Sequence, residues 1–110
     1  MTFDDYQKIA LTTAENDSDP LTEKTIWAMG IAGEAGEVIE KWKKIVAYKE
    51  GKITKEDIQD LTKELGDIVW YIAVFANSIG ITFNEIIETN IAKLSDRKKR
   101  NVIRGEGDNR

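Results

Sequence analysis

Four acidic residues at a repeated spacing are the side chains in this sequence best suited to chemistry. Glu34 and Glu37 stand three residues apart, and Glu64 and Asp67 repeat that spacing. On a helix, residues three apart lie on one face, so each pair would present two carboxylates together. Four carboxylates on facing helices repel one another unless protons or cations neutralise them, and hard divalent ions prefer oxygen ligands. The spacing therefore predicts a divalent-metal site.

Composition restricts both the metal and the catalytic groups. The 110 residues include neither Cys nor His. This excludes thiolate and imidazole ligands and favours magnesium, manganese or calcium over zinc. Catalysis would have to use carboxylates, Lys, Tyr, hydroxyl groups or metal-bound water. A di-iron carboxylate bundle needs Glu-x-x-His motifs, so the absence of His argues strongly against it. An EF-hand is excluded, because the sequence lacks its loop pattern.

The segments that must position the carboxylates have the periodicity of α-helices. The predicted helices run from about residue 3 to 16, Pro20 to Tyr48, Thr54 to Gly80 and Thr82 to Lys98. Their start signals are Thr2, Asp19 before Pro20, Thr54 with Asp57, and Thr82 with Glu85. Residues 16–19 and the surroundings of Gly51 are predicted loops. The pattern indicates an all-α, four-helix-bundle-like domain over residues 1–100, followed by a polar, mobile tail over 101–110.

Apolar residues recur every three or four positions along these helices, as expected for faces that pack on a core. The predicted faces are Phe3, Tyr6, Ile9, Ala10 and Thr13 in the first helix; Ile31, Ala35, Val38, Trp42 and Ile45 in the second; and Ile58, Leu61, Leu65, Ile68, Ile72, Phe75 and Ile79 in the third. Residues 68–76 read IVWYIAVFA and have no polar face. Such a helix is buried on every side. In so short a chain we expect a second subunit to cover it, and therefore a homo-oligomer, either a dimer or a tetramer.

The carboxylate pairs flank the apolar faces, and this determines how the two helices must pack. Each acidic residue comes one position before a residue of the apolar face. An antiparallel hairpin, unlike a parallel pair, brings both flanks to one side of the helix contact. The point halfway between the pairs lies beside Gly51, in the predicted loop, so the pairs should also meet at one level.

Three glycines lie in the second helix beside its glutamates: Gly30, Gly33 and Gly36. Each costs about 1 kcal/mol of helix stability relative to Ala. They favour close approach by another helix or by a ligand.

Net charge and hydropathy argue against a nucleic-acid-binding, membrane-spanning or secreted protein. The formal net charge of −4 argues against a general nucleic-acid binder, and the single basic run RKKR at 97–100 is weak support for one. No apolar run is long enough to span a bilayer, and the first residues lack a signal-peptide pattern. We therefore expect a cytoplasmic protein.

Three segments in order resemble the MazG-like all-α nucleoside triphosphate pyrophosphohydrolases. They are GEAGEVIEKW at 33–42, KELGDIVWY at 63–71 and NIAKLSDR at 90–97. The resemblance implies that Mg²⁺, or Mn²⁺ in its place, binds to Glu34, Glu37, Glu64 and Asp67. It further implies hydrolysis of a nucleoside triphosphate to the monophosphate and pyrophosphate, for house-cleaning or nucleotide-pool control. Lys93, Arg97 and Asn90 would then contact phosphate, and Tyr71 the nucleotide.

The residues by themselves leave other interpretations open. With 20 acidic residues in the chain, the carboxylate pairs also fit solvated helix faces, and Lys93 with Arg97 fits an exposed basic helix end. Tyr71 fits core packing, as do Trp27 and Trp42, which are weaker candidates for stacking on a base. The main alternative is a non-catalytic oligomeric interaction or nucleotide-sensing module. After Arg97 the chain lacks the Tyr-Pro of the best-known family members, so the resemblance implies no base preference.

Overall fold

The computed structural model describes residues 1–15 and 17–110, and the regular elements in these residues are all α-helices. The helices are α1 (Phe3–Leu11), α2 (Pro20–Lys49), α3 (Lys55–Ser78) and α4 (Phe83–Lys99). The predicted all-α class is therefore confirmed, and the boundaries of α2, α3 and α4 agree with the predicted ranges within one or two residues.

The helices begin at the caps that the sequence indicates. Thr2, Thr54 and Thr82 each form a capping box, in which the threonine hydroxyl accepts from the backbone N–H three residues on and that residue's carboxylate accepts in return. Asp19 caps α2 by accepting from the N–H of Thr22, with Pro20 in the first turn. These local bonds satisfy N–H groups that have no partner within the helix.

The predicted range of the first helix is too long. Helix α1 ends at Leu11 because the next two residues turn their hydroxyl groups back onto the last carbonyls. Thr12 Oγ1 donates to Ile9 O at 2.6 Å, and Thr13 Oγ1 donates to Ala10 O at 2.9 Å. Such local bonds compete with continuation of the helix. Asn16, at which the predicted helix and loop meet, lies outside the described residues.

An antiparallel hairpin of α2 and α3 is the frame of the fold, and α1 and α4 pack against α3. The core lies around the C-terminal half of α3 and is formed by Ala10, Ala73, Val74 and Phe83. Helix α4 has no packing contact with α2 in the described part of the chain. Along residues 1–15 and 17–110 no single helix is long and apolar enough to cross a membrane; α3 and α4 pass that test only as a pair, bent by 102°.

The pattern of burial differs from the predicted apolar faces. All of residues 68–76 are buried or half-buried, as predicted, but α1, α2 and α4 of the same chain pack around them. The predicted core positions Ile58 and Leu65 are exposed, because α1 and α4 cover only part of α3, and Ile79, which follows the last residue of α3, is exposed as well. In the same way Ile9 and Trp42 are exposed, although the periodicity assigns both to the core.

The chain is more extended than a closed domain of its length. Its radius of gyration is 17.0 Å, whereas a compact domain of this size has one of roughly 13 Å. Its accessible surface is 8202 Å², compared with roughly 6,200 Å² for a folded monomer of this mass. Both values describe a hairpin that is covered at one end and open along the rest of its length.

Candidate metal and nucleotide site

The register of the α2–α3 hairpin sets which residues of the two helices meet. The chain reverses at Glu50 and Gly51, which have positive φ values of 55° and 79°. Gly30 lies against the ring of Tyr71, and these two residues are equally far from the turn. Glu34 and Asp67, one helical turn nearer to the loop, are also equally far from it. The predicted antiparallel hairpin is therefore confirmed, and so is the common level of Glu34, Glu64 and Asp67.

Three of the four predicted metal ligands come together on this hairpin. Carboxylate oxygens of Glu34, Glu64 and Asp67 all lie within 4.8 Å of one another. The first two side chains are half-buried and that of Asp67 is exposed. Glu37, one turn along α2 from Glu34, is exposed and lies outside this group of three. Its assignment as a ligand stays a prediction.

The electrostatics of this carboxylate cluster fit a divalent cation. Partial burial, a hydrogen bond with Glu64 and the charges of Asp67, Glu64 and Glu37 raise the pKa of Glu34. Lys41 Nζ lies 3.8 Å from Glu64 Oε1, and one ammonium group does not balance three carboxylates. A site of oxygen donors with excess negative charge suits a hard ion such as Mg²⁺. The residues present therefore fit the metal that the resemblance implies.

Tyr71 packs against α2 so closely that a side chain at position 30 would collide with it. A Cβ atom added to Gly30 would lie 2.2 Å from Tyr71 Cε1 and 2.3 Å from Cδ1. The expected close approach at the α2 glycines is thus confirmed for Gly30. Added Cβ atoms at Gly33 and Gly36 would meet nothing within 4 Å, so packing within the described chain does not explain these two glycines.

The Gly30→Ala variant tests this contact. We expect its free energy of unfolding to fall by about 1–2 kcal/mol, because the cost of displacing the tyrosine ring exceeds the gain in helix propensity. Gly66→Ala is the matched control: Gly66 is also helical, and an added Cβ there meets nothing within 4 Å. The control should be as stable as the parent or more stable. Urea unfolding followed by circular dichroism measures both, and an equal effect of the two substitutions would contradict the steric argument.

An open cavity of about 340 Å³ is lined by residues of α2 and α3 and by residues that precede α2. Tyr71 lies in its wall, one turn from Asp67, together with Trp27, Trp70 and Glu23. Trp70 is held by hydrogen bonds from its Nε1 to Thr13 Oγ1 and Ala10 O, at 2.8 and 3.2 Å. Trp27 both packs on the core and lines the cavity, whereas Trp42 is exposed elsewhere on α2. The cavity offers aromatic surfaces, and Glu15 and Asp17 add their carboxylates to that of Glu23 in its wall.

The predicted phosphate-contacting residues are not at the carboxylate cluster of the same chain. Lys93, Arg97 and Asn90 lie on α4, which does not pack against α2 in residues 1–15 and 17–110. Lys93 and Arg97 instead bind Asp108, and Asn90 is exposed beside Lys93 in a separate shallow pocket. The tail predicted to be mobile folds back onto α4 through these contacts.

Three residues near these sites were not predicted from the sequence to take part in a functional site: Lys41, Tyr6 and Asp108. Lys41 approaches Glu64, and its spacing of one turn from Glu37 was an available signal. Burial and the nearby charge of Asp67 raise the pKa of Tyr6, but nothing local in the sequence places α1 beside Asp67. The same holds for Asp108, whose position depends on how the tail folds.

Comparison with known proteins identifies the family of this chain. A family model described as the MazG nucleotide pyrophosphohydrolase domain matches residues 22–102, which include α3, α4, all but the first two residues of α2 and all the predicted site residues. The chain is 43% identical over 114 residues to the gene 37 protein of Mycobacterium phage L5, with complete coverage of both chains. The name of that relative states no activity. No solved structure matches the chain significantly.

Proposed function

Because the chain belongs to the MazG nucleotide pyrophosphohydrolase family, we propose that it hydrolyses a nucleoside triphosphate to the monophosphate and pyrophosphate in a Mg²⁺-dependent reaction. The observation that carries the proposal is the cluster of Glu34, Glu64 and Asp67, with carboxylate oxygens within 4.8 Å of one another. This arrangement matches the donor set that a triphosphate-bound hard cation needs.

The clustered carboxylates would hold the cation that binds the triphosphate. Glu34, Glu64 and Asp67 supply oxygen ligands from both helices, and Glu37 lies one turn along the same helix as a further donor. When bound, the ion would neutralise the triphosphate and favour attack by water on phosphorus. A carboxylate that is not fully engaged could then accept the proton of that water. The bond between the α and β phosphates breaks, and pyrophosphate leaves.

The nucleoside would occupy the cavity beside Tyr71. Trp27, Trp70 and Tyr71 offer aromatic surfaces there, and Glu23 offers a hydrogen-bond acceptor. Stacking on aromatic rings tolerates every base, because each base has a π-face. The cavity therefore supports nucleotide binding without indicating one base or sugar. We further propose that the protein acts on the cytoplasmic nucleotide pool, in house-cleaning or pool control.

A homo-oligomer is part of the proposal, because the open chain leaves apolar side chains in water. Met29 and Ile39 of α2, for example, have 68% and 65% of their surface exposed. The surface in excess of a compact monomer, about 2,000 Å², is of the size that stable subunit interfaces bury. A second copy would also bring Lys93 and Arg97 to the carboxylate cluster of its neighbour, which α4 of the same chain does not reach.

Light scattering during size-exclusion chromatography tests the assembly. We expect the mass of a dimer or a tetramer, and a shift towards smaller species in Ile39→Glu, because the new charge would have to be buried in the interface. Gln59→Glu adds the same charge at an exposed polar position of α3 and should leave the mass unchanged. A monomer at micromolar concentration would contradict this part of the proposal.

The decisive test is a panel of canonical and modified nucleoside triphosphates, both ribo- and deoxyribo-, assayed with and without Mg²⁺. Pyrophosphate and the monophosphate should appear in equal amounts, whereas cleavage at the γ phosphate would give inorganic phosphate and the diphosphate. The absence of turnover on every member of the panel would refute the proposed activity.

One observation favours the alternative of a non-catalytic interaction or nucleotide-sensing module. Lys93 and Arg97 are paired with a carboxylate of their own chain and lie apart from the carboxylate cluster. A sensor would bind the same triphosphates in calorimetry and release no pyrophosphate. The enzyme would do both, so the two measurements separate these functions.

A further inference from the structure

The C-terminal segment, residues 101–110, folds back along α4. Asn101 and Gly107 adopt positive φ values of 59° and 80°, which reverse the chain. Val102 N donates to Arg97 O at 2.9 Å. The guanidinium of Arg110 donates to Val102 O at 3.1 Å and to Ile103 O at 3.0 Å. These bonds make the segment a closed loop that carries Asp108 over the basic face of α4.

Asp108 serves as an acceptor shared by two basic side chains. Its Oδ1 lies 3.0 Å from Lys93 Nζ and 3.2 Å from Arg97 Nη2, and Arg97 Nη2 also donates to Asp108 O at 3.0 Å. The hydrogen bonds and charges of Lys93 and Arg97 hold the pKa of Asp108 below its usual value. A carboxylate thus occupies the position that the family resemblance implies for phosphate.

Burial is unequal on the two sides of this contact. Arg97 is only 5% exposed, and its buried Nε has no hydrogen-bond partner among the described residues. A buried guanidinium is costly unless an anion compensates it. The side chain of Asp108, in contrast, is 82% exposed. Arg97 therefore needs an anion at this place, whereas Asp108 can leave for water at little cost.

We propose that Asp108 competes with the phosphates of the nucleotide for Lys93 and Arg97, so that the C-terminal segment is an autoinhibitory strap that the triphosphate displaces. The inference rests on the proposed function, which assigns Lys93 and Arg97 to phosphate. A triphosphate presents several charged oxygens to the guanidinium of Arg97. It can therefore replace the single carboxylate of Asp108 as the hydrogen-bond acceptor. Because only chains with the strap released bind the triphosphate, the apparent affinity equals the intrinsic affinity multiplied by the fraction of chains in which the strap is released.

Asp108→Asn tests the strap directly. The variant should lower KM for the triphosphate by roughly threefold to tenfold while kcat is unchanged, because removal of the competing charge raises the released fraction. Asp96→Asn is the matched control: it makes the same substitution on α4 in a carboxylate that pairs with Arg100 at 2.8 Å, away from Lys93 and Arg97. The control should keep the KM of the parent. An unchanged KM in Asp108→Asn would overturn the inference.

Hydrogen exchange gives a second readout that a merely structural tail would not produce. Addition of inorganic tripolyphosphate should speed the exchange of amides in residues 102–110, because the segment is released from α4. Slower exchange would mean that the segment closes over the phosphates, and it would overturn the competition.

Binding of tripolyphosphate also separates this inference from the proposed enzyme activity. If no nucleotide is hydrolysed, the proposed function has failed, yet calorimetry still compares Asp108→Asn with the parent. Tighter binding by the variant supports the strap. Equal binding, or no binding to either protein, overturns it.

Discussion

Replacing Asp67 by Asn is expected to lower the rate of pyrophosphate release by about a thousandfold. The substitution keeps the shape of the side chain and removes one of the three negative charges clustered within 4.8 Å. A bound cation stabilises the charge of the transition state by several kcal/mol, and each loss of about 1.4 kcal/mol lowers the rate tenfold. Loss of one charged ligand from α3 therefore affects both metal affinity and the rate.

The stability of the same variant distinguishes a lost ligand from a damaged fold. In the metal-free protein the three carboxylates repel one another, so Asp67→Asn should unfold at the same temperature as the parent or at a higher one. Addition of Mg²⁺ should raise the melting temperature of the parent more than that of the variant. Asp60→Asn, two turns earlier on α3 and exposed, is the control that should retain activity. An Asp67→Asn enzyme as active as this control would show that the cluster is not the catalytic centre.

Gln7→Leu should lower the free energy of unfolding by about 2–4 kcal/mol, because it leaves buried backbone groups without partners. Gln7 is 6% exposed, and its side-chain amide joins α1 to α3 and to the start of α4. Its Nε2 donates to Ala73 O at 2.9 Å and to Ile81 O at 3.1 Å, and its Oε1 accepts from Phe83 N at 3.0 Å. The substitution would detach α1 from the end of α3 and the start of α4.

Urea unfolding at a fixed protein concentration measures this effect, since the proposed assembly makes apparent stability depend on concentration. Gln59→Leu is the matched control at an exposed position of α3, where surface substitutions usually change stability by no more than about 0.5 kcal/mol. Equal destabilisation by the two substitutions would contradict the role given to the buried amide. Because Gln7 also anchors the start of α4, its variant should disturb the position of Lys93 and Arg97.

Local signals in the sequence were sufficient for the helices and for the carboxylate cluster. A capping box is a contact between residues three apart, so the helix starts at Thr2, Thr54 and Thr82 could be predicted from the local sequence. Helical periodicity and an equal distance from the turn at Gly51 together determine which residues of a hairpin meet. The meeting of Glu34 with Glu64 and Asp67 therefore followed from spacing, whereas the triphosphate came from the resemblance and not from the spacing.

Periodicity predicted burial less well, because it indicates that a face is apolar and not what covers it. Ile58 and Leu65 continue the apolar face of α3 but are about half exposed, since the core that α1 and α4 form with α3 lies around Ala73 and Val74, in the C-terminal half of that helix. A polar residue, Gln7, took a core position in α1 while Ile9 faces solvent. Partners for its amide lie more than sixty residues away along the chain, beyond any local pattern.

The sequence by itself determined the helices, the antiparallel hairpin and the level at which its carboxylates meet, since each depends on contacts within a helix or across one turn. Only the tertiary structure decided that Tyr71 fills the space left by Gly30, that α4 carries Lys93 and Arg97 away from the carboxylate cluster of its own chain, and that Asp108 binds them. These features depend on the angles at which helices cross and on how residues 101–110 fold back. Helical spacing does not encode such angles, because they arise from the packing of side chains that are distant in sequence.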